Sequence, residues 1–379
     1  MKKIISSSVA VLLCFLLTGC SCLETGQELI WHMMQEAFSK YNGETRPNDE
    51  PDGGTLPPVD PNKERLPFGT TVSVCMVNGI CVLSDGTVRS TGLHFDKKVP
   101  RRWTDIVSVS AGYHHQAALR SDGTVVAAGE ADYGQCDVAD WTDIVAVSAG
   151  ASFTLGLRSD GTVVATGRNN YGVCDVEGWT DIIAVSADVC HSVGLRADGT
   201  VVATGLRDEG RCDVEEWTDI VAISADMSFT AGLRSDGTVV LAGDVRHLQA
   251  GVAEWTDIVA ISAGGNHLLG LRSDGTVVAA TNARGRDTSE EGPASTEPTT
   301  APQPTTAPQL SVEVTVPHDD APHDEHLKVS EWTDIVAIEA GSGISVGLRA
   351  DGTLLVAGEM REYWEEEVAS WSGIAVPER

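Results

Sequence analysis

The chain is short of positive charge. Its 379 residues carry 26 Lys+Arg against 55 Asp+Glu, a formal charge of −29. That balance weighs against nucleic-acid binding, because a phosphate backbone calls for a Lys/Arg surface, and against docking on anionic lipid headgroups. Aromatic residues are scarce, at 5%. Beyond the first twenty residues no apolar run is long enough to cross a bilayer. No CxxC pair or zinc-type spacing occurs. No phosphate loop, nucleophile–base motif or motif-grade carboxylate pair stands out, so the sequence indicates no enzyme, metal or cofactor. Hydrophobic residues are not lacking: at 42%, with 21% charged, the chain can bury a core. Glycine is plentiful, 39 in all, which suggests many tight turns.

Met1-Lys2-Lys3 is a charged opening, followed by an apolar stretch over 4–17 that ends in Leu16-Leu17-Thr18-Gly19-Cys20. This resembles the bacterial lipoprotein signal, which implies a signal peptide at 1–19, lipidation of Cys20 and an extracytoplasmic protein anchored to the bacterial membrane. Two or more acyl chains hold stably where one does not. Residues 20–67 read as a spacer. Leu29, Ile30, Met33, Met34, Ala37, Phe38 and Tyr41 form one helical stripe within 28–41. The Pro-, Gly- and Asp-rich run over 42–67 is expected to be flexible.

From residue 68 to 376 the chain repeats itself. Trp103, Trp141, Trp179, Trp217 and Trp255 are spaced by 38 residues, Trp332 follows after 77 and Trp371 after 39. Units start near 70, 103, 141, 179, 217, 255 and 332. Each has β-branched runs cut by turn residues, and an Asp-Gly pair such as Asp160-Gly161 between two such runs signals a hairpin. The third unit reads as strands at 144–147, 153–157 and 162–165, with a short fourth around Cys174-Asp175-Val176. Four short antiparallel strands per unit of about 40 residues point to propeller blades. The expected fold is all-β, a seven-bladed β-propeller with the recurring Trp residues as core between blades.

Ala111-Gly112, His115, Asp122-Gly123 and Gly129 recur at the spacing of the regulator of chromosome condensation repeat family, which the chain resembles over about 70–376. The resemblance implies a seven-bladed propeller. A secreted bacterial propeller of similar repeat type inhibits a β-lactamase, so the fold serves as a protein-binding disc outside cells. Eukaryotic members include a nucleotide exchange factor for a small GTPase. That activity is not carried over, because no counterpart of its interaction wedge is recognisable here.

The C-terminal Trp371-Ser372-Gly373-Ile374 supplies the unit start that the first unit lacks, so the C-terminal strand is expected to pair with 72–95 and close the ring, removing a sheet edge. Six units carry an Asp in Trp-Thr-Asp and an Arg before the Asp-Gly turn. The composite unit has Gly373 and Leu83 instead, which suggests an Arg–Asp contact. Strand direction puts the two variable loops of every unit on one face, where binding is expected. That face carries Tyr113, His114, Tyr133, Arg168, Asn170, Tyr171, Arg207, Arg246, His247, Arg361, Tyr363 and Trp364, rich in residue types found at interface hot spots.

His115, His191 and His267 share a unit position with Phe153, Phe229, Asn78 and Ile344. They fall on alternate units, too far apart to share a zinc whose Zn–N bonds are about 2 Å, and read as packing. Cys136, Cys174 and Cys212 occupy equivalent places and read as small buried hydrophobes. Cys75 and Cys81 are candidates for a disulfide. A Thr/Pro-rich insertion over 283–326 reads as a tether in the sixth unit; His318, Asp319, Asp320, His323, Asp324, Glu325 and His326 within it read as a solvated polar run. The expectation is a monomeric binding module whose partner is a protein of unknown identity. A glycan-binding or enzymatic use of the axial pocket, and inhibition of a β-lactamase or peptidoglycan enzyme, are the rival readings.

Overall fold

A computed structural model describes residues 70–75, 78–92, 100–246, 248–265, 267–281, 328–358 and 371–376. Cys20, the 28–41 stripe, the 42–67 spacer, the 283–326 insertion and the candidates His247, Arg361, Tyr363 and Trp364 lie outside the described residues.

Seven three-stranded antiparallel sheets follow one another along the chain. The third is representative, with strands Ile144–Ala149, Phe153–Arg158 and Val163–Gly167. Its register breaks between Ile144 and Ala146, and sheets two to seven all show this irregularity at the same place. An extra residue there bends the strand and raises its twist. At the hairpin, Gly161 takes φ 80° and its amide donates to Arg158 O. Thr162 donates twice to Asp160 Oδ1, from its amide at 2.9 Å and its hydroxyl at 2.6 Å. These bonds hold the Asp160 carboxyl below its usual range.

The expected fourth strand is not a strand. Asp175 N donates to Gly172 O, Val176 N to Cys174 O and Trp179 N to Val176 O. Amides committed to such tight turns cannot join a ladder, so each sheet has three strands rather than four. Val176 is still buried, capping the sheet edge from outside the ladder.

Five of the Trp residues lie over a glycine in the middle strand of their own sheet. A Cβ on Gly156 would sit 2.7 Å from Trp141 Cζ3, and Gly194–Trp179, Gly232–Trp217, Gly270–Trp255 and Gly347–Trp332 repeat the arrangement. The ring then reaches the neighbouring sheet: Trp141 packs with Leu119 and Val125 of the second sheet and Ile144 of the third. Trp103, Trp141, Trp179, Trp217, Trp332 and Trp371 are buried, and Trp255 is partly so. Sheets neighbour one another in chain order, and the seventh meets the first: Val72, Val74 and Cys81 share a cluster with Ile344, Val346 and Leu348.

The C-terminal segment lies against the first sheet. Leu83 and Ile374 form an isolated antiparallel bridge, Ser84 N donates to Gly373 O at 3.0 Å and Ala375 N to Val82 O at 2.9 Å. The Ser84 bond copies one made in other sheets, where Ser121 N donates to Asp105 O and Ser159 N to Asp143 O.

The Arg–Asp contact is not present: among the described residues no ion pair joins these Asp and Arg side chains. The Asp recurs for a backbone reason. Asp105, Asp143, Asp181, Asp219, Asp257 and Asp334 all have φ between 58° and 61°, a left-handed conformation that Gly, Asn and Asp accept most readily. The composite unit has Gly373 there, with φ 69°. Cys75 and Cys81 do not form a disulfide with each other. Register places Cys81 opposite Val72, in the cluster with Ile344, whereas Cys75 packs with Ile80, Val82 and Trp103 on the other side of the sheet. Burial pushes the Cys81 thiol up to about 12.

Candidate functional site

Alternating strand direction divides the connections between two faces. One face carries the Asp-Gly turns and the Trp-Thr-Asp links, tied together by main-chain bonds such as Ile144 N to Gly123 O and Ile182 N to Gly161 O. The opposite face carries the loops that differ from unit to unit. These loops are held from behind, through their own main chain. Thr154 of the third sheet donates to Gln135 O at 2.8 Å and Thr166 to Gly134 O at 2.9 Å. Ser192 and Thr204 of the fourth do the same for Val173 O and Gly172 O, and Thr230 of the fifth for Arg211 O. Hydroxyls of one sheet thus fix the loop of the sheet before it, and tip side chains such as Tyr133 and Tyr171 face outward.

On this face Tyr133 is 52% exposed and Tyr171 65%. The Arg168 guanidinium sits 4.9 Å from the Tyr133 ring centroid, and with the Asn170 amide turned to suit, Arg168 Nε and Nη2 donate to its oxygen at 2.9 and 2.8 Å. Tyr171 takes φ 65° in the turn Asn170–Gly172. Met227, 41% exposed, is the third exposed large hydrophobic residue among those described. Tyr133, Arg168, Asn170 and Tyr171 therefore form one patch. The other candidates are engaged separately: His114 Nδ1 lies 3.2 Å from Glu130 Oε2, Arg207 pairs with Glu215 at 3.4 Å and Arg246 with Asp244 at 3.0 Å. Tyr113 is not on the open surface; it lines the axial pocket.

The first strand of each sheet faces the axis. Ser110 Oγ accepts from Ala149 N at 2.9 Å, and Ser73, Ser148, Ser186, Ser224 and Ser262 make the same bond to the next sheet. The seventh sheet has Glu339 in place of serine. Its Oε1 accepts from Ser73 Oγ at 3.1 Å, the Val74 amide also bonds its carboxyl, and Oε2 is buried without a partner. Burial pushes Glu339 up to about 8. The pocket above this ring has a volume of about 80 Å³. Toward the variable face it is lined by Asp188, Asp226, Tyr113 and Ser342. Burial, reinforced by the Asp226 charge, raises Asp188 well above the usual carboxylate range, against the Val189 amide and the Arg211 charge. Burial and the same two carboxylates raise the Tyr113 phenol, against its hydrogen bond with Ser342.

The histidines bond across sheet boundaries. His115 Nε2 lies 2.7 Å from Thr154 Oγ1, His191 Nε2 2.8 Å from Thr230 Oγ1 and His267 Nε2 3.1 Å from Ser345 Oγ. Since Thr154 donates to Gln135 O, the shared proton is on His115 Nε2. Burial pulls His115 down to about 4 and His191 to about 3. Cys136, Cys174 and Cys212 are not simple hydrophobes: each thiol lies within reach of a loop carbonyl, Glu130 O, Arg168 O and Leu206 O, and Cys136 and Cys174 are only half-buried.

Residues 106–135 and 144–173 match the family model described as the regulator of chromosome condensation (RCC1) repeat. Those two segments, in the second and third sheets, therefore resemble RCC1 repeats. No curated protein matches the chain. Among solved structures, the ectodomain of the Physcomitrella patens receptor kinase CR4 is 16% identical, covers 76% of this chain and 73% of its own, and superposes with a TM-score of 0.53. The CRINKLY WD40 ectodomain of the Arabidopsis thaliana receptor kinase ACR4 is 14% identical over 77% of this chain and 95% of its own, with a TM-score of 0.52. Yeast RCC1 (Prp20), solved bound to Kap60, is 18% identical over 67% of this chain and 70% of its own, with a TM-score of 0.46. At such identities the likeness is one of fold, that of the β-propeller whose blades are the seven sheets.

Sequence reasoning missed Asp188, Asp226, Glu339 and Ser342. The signal was available. The repeats write Ser-Ala-Gly at 110–112, 148–150 and 262–264, and 186–188, 224–226 and 339–341 depart from it as Ser-Ala-Asp, Ser-Ala-Asp and Glu-Ala-Gly.

Proposed function

We propose that the chain is a bacterial surface lipoprotein, anchored through Cys20, whose propeller binds a protein through its variable-loop face. The C-terminal segment acts as the clasp that closes the ring, and the module works as a monomer with no cofactor. The observation that carries the reading is the asymmetry of the disc. All three exposed large hydrophobic residues among those described, Tyr133, Tyr171 and Met227, lie on one face, on loops whose main chain is already fixed. A rigid scaffold presenting aromatic and Arg side chains is the arrangement found at interface hot spots. Glycan-binding or enzymatic use of the axial pocket has its carboxylates, but about 80 Å³ falls well below the roughly 300–1,000 Å³ of small-molecule sites.

The test is capture of proteins from extracytoplasmic extracts on the immobilised chain, beside a Tyr133→Ala/Arg168→Ala/Tyr171→Ala variant and a Thr142→Ala/Thr180→Ala variant of the opposite face. A protein held by the parent and the second variant, and released by the first, supports the reading. Equal capture by both variants overturns it.

A further inference from the structure

We infer that the axial pocket is a seat for one primary ammonium group, filled in the complex by a lysine side chain of the bound protein. The inference rests on the protein-binding reading above and names a chemical feature of the partner.

Charge comes first. Glu339, Asp188 and Asp226 line the pocket, and no Lys, Arg or His is among its lining residues. All three acids depart from the repeat. In the other six sheets the Glu339 position is serine, and a serine would have completed the hydroxyl ring at no electrostatic cost. Glutamate instead leaves Oε2 buried with no partner, a state that costs free energy until a donor arrives. Asp188 and Asp226 stand where four other sheets have glycine, some under tight spacing: a Cβ on Gly112 would lie 2.2 Å from Gly150 O, and one on Gly264 2.3 Å from Ala340 O. The first sheet departs from that glycine with Cys75, and the two neighbouring sheets four and five do so with a carboxylate at the mouth.

Size and geometry narrow the class. A volume of about 80 Å³ has room for a few waters, or for an ammonium with its first methylenes. The acceptors come from three different sheets, the fourth, fifth and seventh. Three N–H bonds diverging from a single nitrogen suit that arrangement, whereas a guanidinium fork seeks a coplanar carboxylate pair. The mouth, with Tyr113, Asp188 and Ser342, opens on the variable face, so a docked partner covers it.

The experiment has two arms. In the first, n-butylammonium chloride is titrated calorimetrically into the full chain, with tetramethylammonium, which has no N–H, as control. Glu339→Ser and Asp188→Gly install the residues other repeats use at those places, so the fold is retained. The expected result is binding of butylammonium and not of tetramethylammonium by the parent, weakened about tenfold or more in each variant, as befits a lost charge-assisted bond. No binding, or equal binding by the parent and Glu339→Ser, overturns the seat. The second arm repeats the capture experiment with Glu339→Ser. Loss of capture supports a partner lysine. Capture lost by the Tyr171 variant but kept by Glu339→Ser leaves the protein-binding face standing and overturns the lysine. Amine binding with capture indifferent to both variants overturns the face and leaves a seat for free amines.

Discussion

The two faces of the disc are built from the same repeats, yet one is uniform and the other is not. On the uniform face the recurring Asp and Thr groups have structural tasks. Asp143 O accepts from Ser159 N, Gly123 O from Ile144 N, and Thr162 is tied twice to Asp160. Asp143 must also hold φ 60°. Few residues satisfy all of these demands, so each unit repeats the same ones. On the variable face the tasks fall on main-chain carbonyls, gripped by Thr154, Thr166, Ser192, Thr204 and Thr230 of the following sheet. Gln135, Asn169 and Arg211 add side-chain bonds to loop main chain, whereas the exposed Tyr171 ring carries no such duty. Variation is therefore free where the backbone is held from outside the loop and forbidden where the residue itself does the holding.

The largest effect expected is at the seam common to both faces. Trp141→Ala should cost about 3–5 kcal/mol, the range for deleting a buried aromatic, because Trp141 fills the space between Gly156 and Leu119. Denaturant unfolding measures it. A cost no greater than that of a surface substitution would mean that the seam does not hold neighbouring sheets together.

Next comes the uniform face itself. Asp143→Val should destabilise by roughly 1–2 kcal/mol, the penalty for a side chain in the left-handed region, with the Thr142–Asp143 hydrogen bond lost as well. Asp143→Gly, copying Gly373, should be close to neutral. If Val and Gly behave alike, the carboxylate and not φ explains why Asp recurs.

Between the faces, the buried histidines predict a pH effect. His115 and His191 lie at about 4 and 3 in the folded protein, against about 6.5 when unfolded. The unfolded chain binds more protons between those values, so the stability is complete above about pH 6.5 and is lost as pH falls toward 4 and then 3. Glu339, raised from 4.5 to about 8, acts with the opposite sign in an overlapping window and removes stability as pH rises from its ordinary value toward 8. His115→Phe with His191→Phe, copying Phe153 and Phe229, should flatten the acid limb of a melting-temperature profile. An unchanged acid limb would refute the assignment.

Much of this was legible because the chain states its architecture seven times. One Asp-Gly pair is weak evidence for a hairpin; the same pair at a fixed offset from each Trp fixes the unit. What stayed hidden depended on quantities that residue identity does not carry. Cys174-Asp175-Val176 has strand-like composition, but its amides are spent on turns. The joint loss of Asp and Arg in the composite unit suggested an ion pair, whereas the cause at Gly373 is a backbone angle. Cys75 and Cys81 are near in sequence, yet register sends them to opposite sides of a sheet. Asp188, Asp226 and Glu339 were visible as departures from Ser-Ala-Gly. They passed unnoticed because variation was sought in loops, and these sit at strand ends whose convergence on the axis only the folded ring reveals.

The smallest effect on stability sharpens the comparison most. Tyr171→Ala removes a side chain that is 65% exposed and should change the unfolding free energy by no more than about 0.5 kcal/mol, as at surface sites that carry no structural duty. Its position has φ 65°, so Tyr171→Gly should even gain slightly from relief of the left-handed backbone. A tyrosine that is strained in its backbone and exposed in its ring contributes nothing to folding that glycine would not supply. Glu209 holds the equivalent place in the next loop with φ 62°, so the turn tolerates either side chain. If Tyr171→Gly is as stable as the parent or more so, the ring is retained for something outside the fold, as a recognition face requires. If it destabilises clearly, Tyr171 belongs to the scaffold, and the distinction between the two faces fails at its most exposed residue.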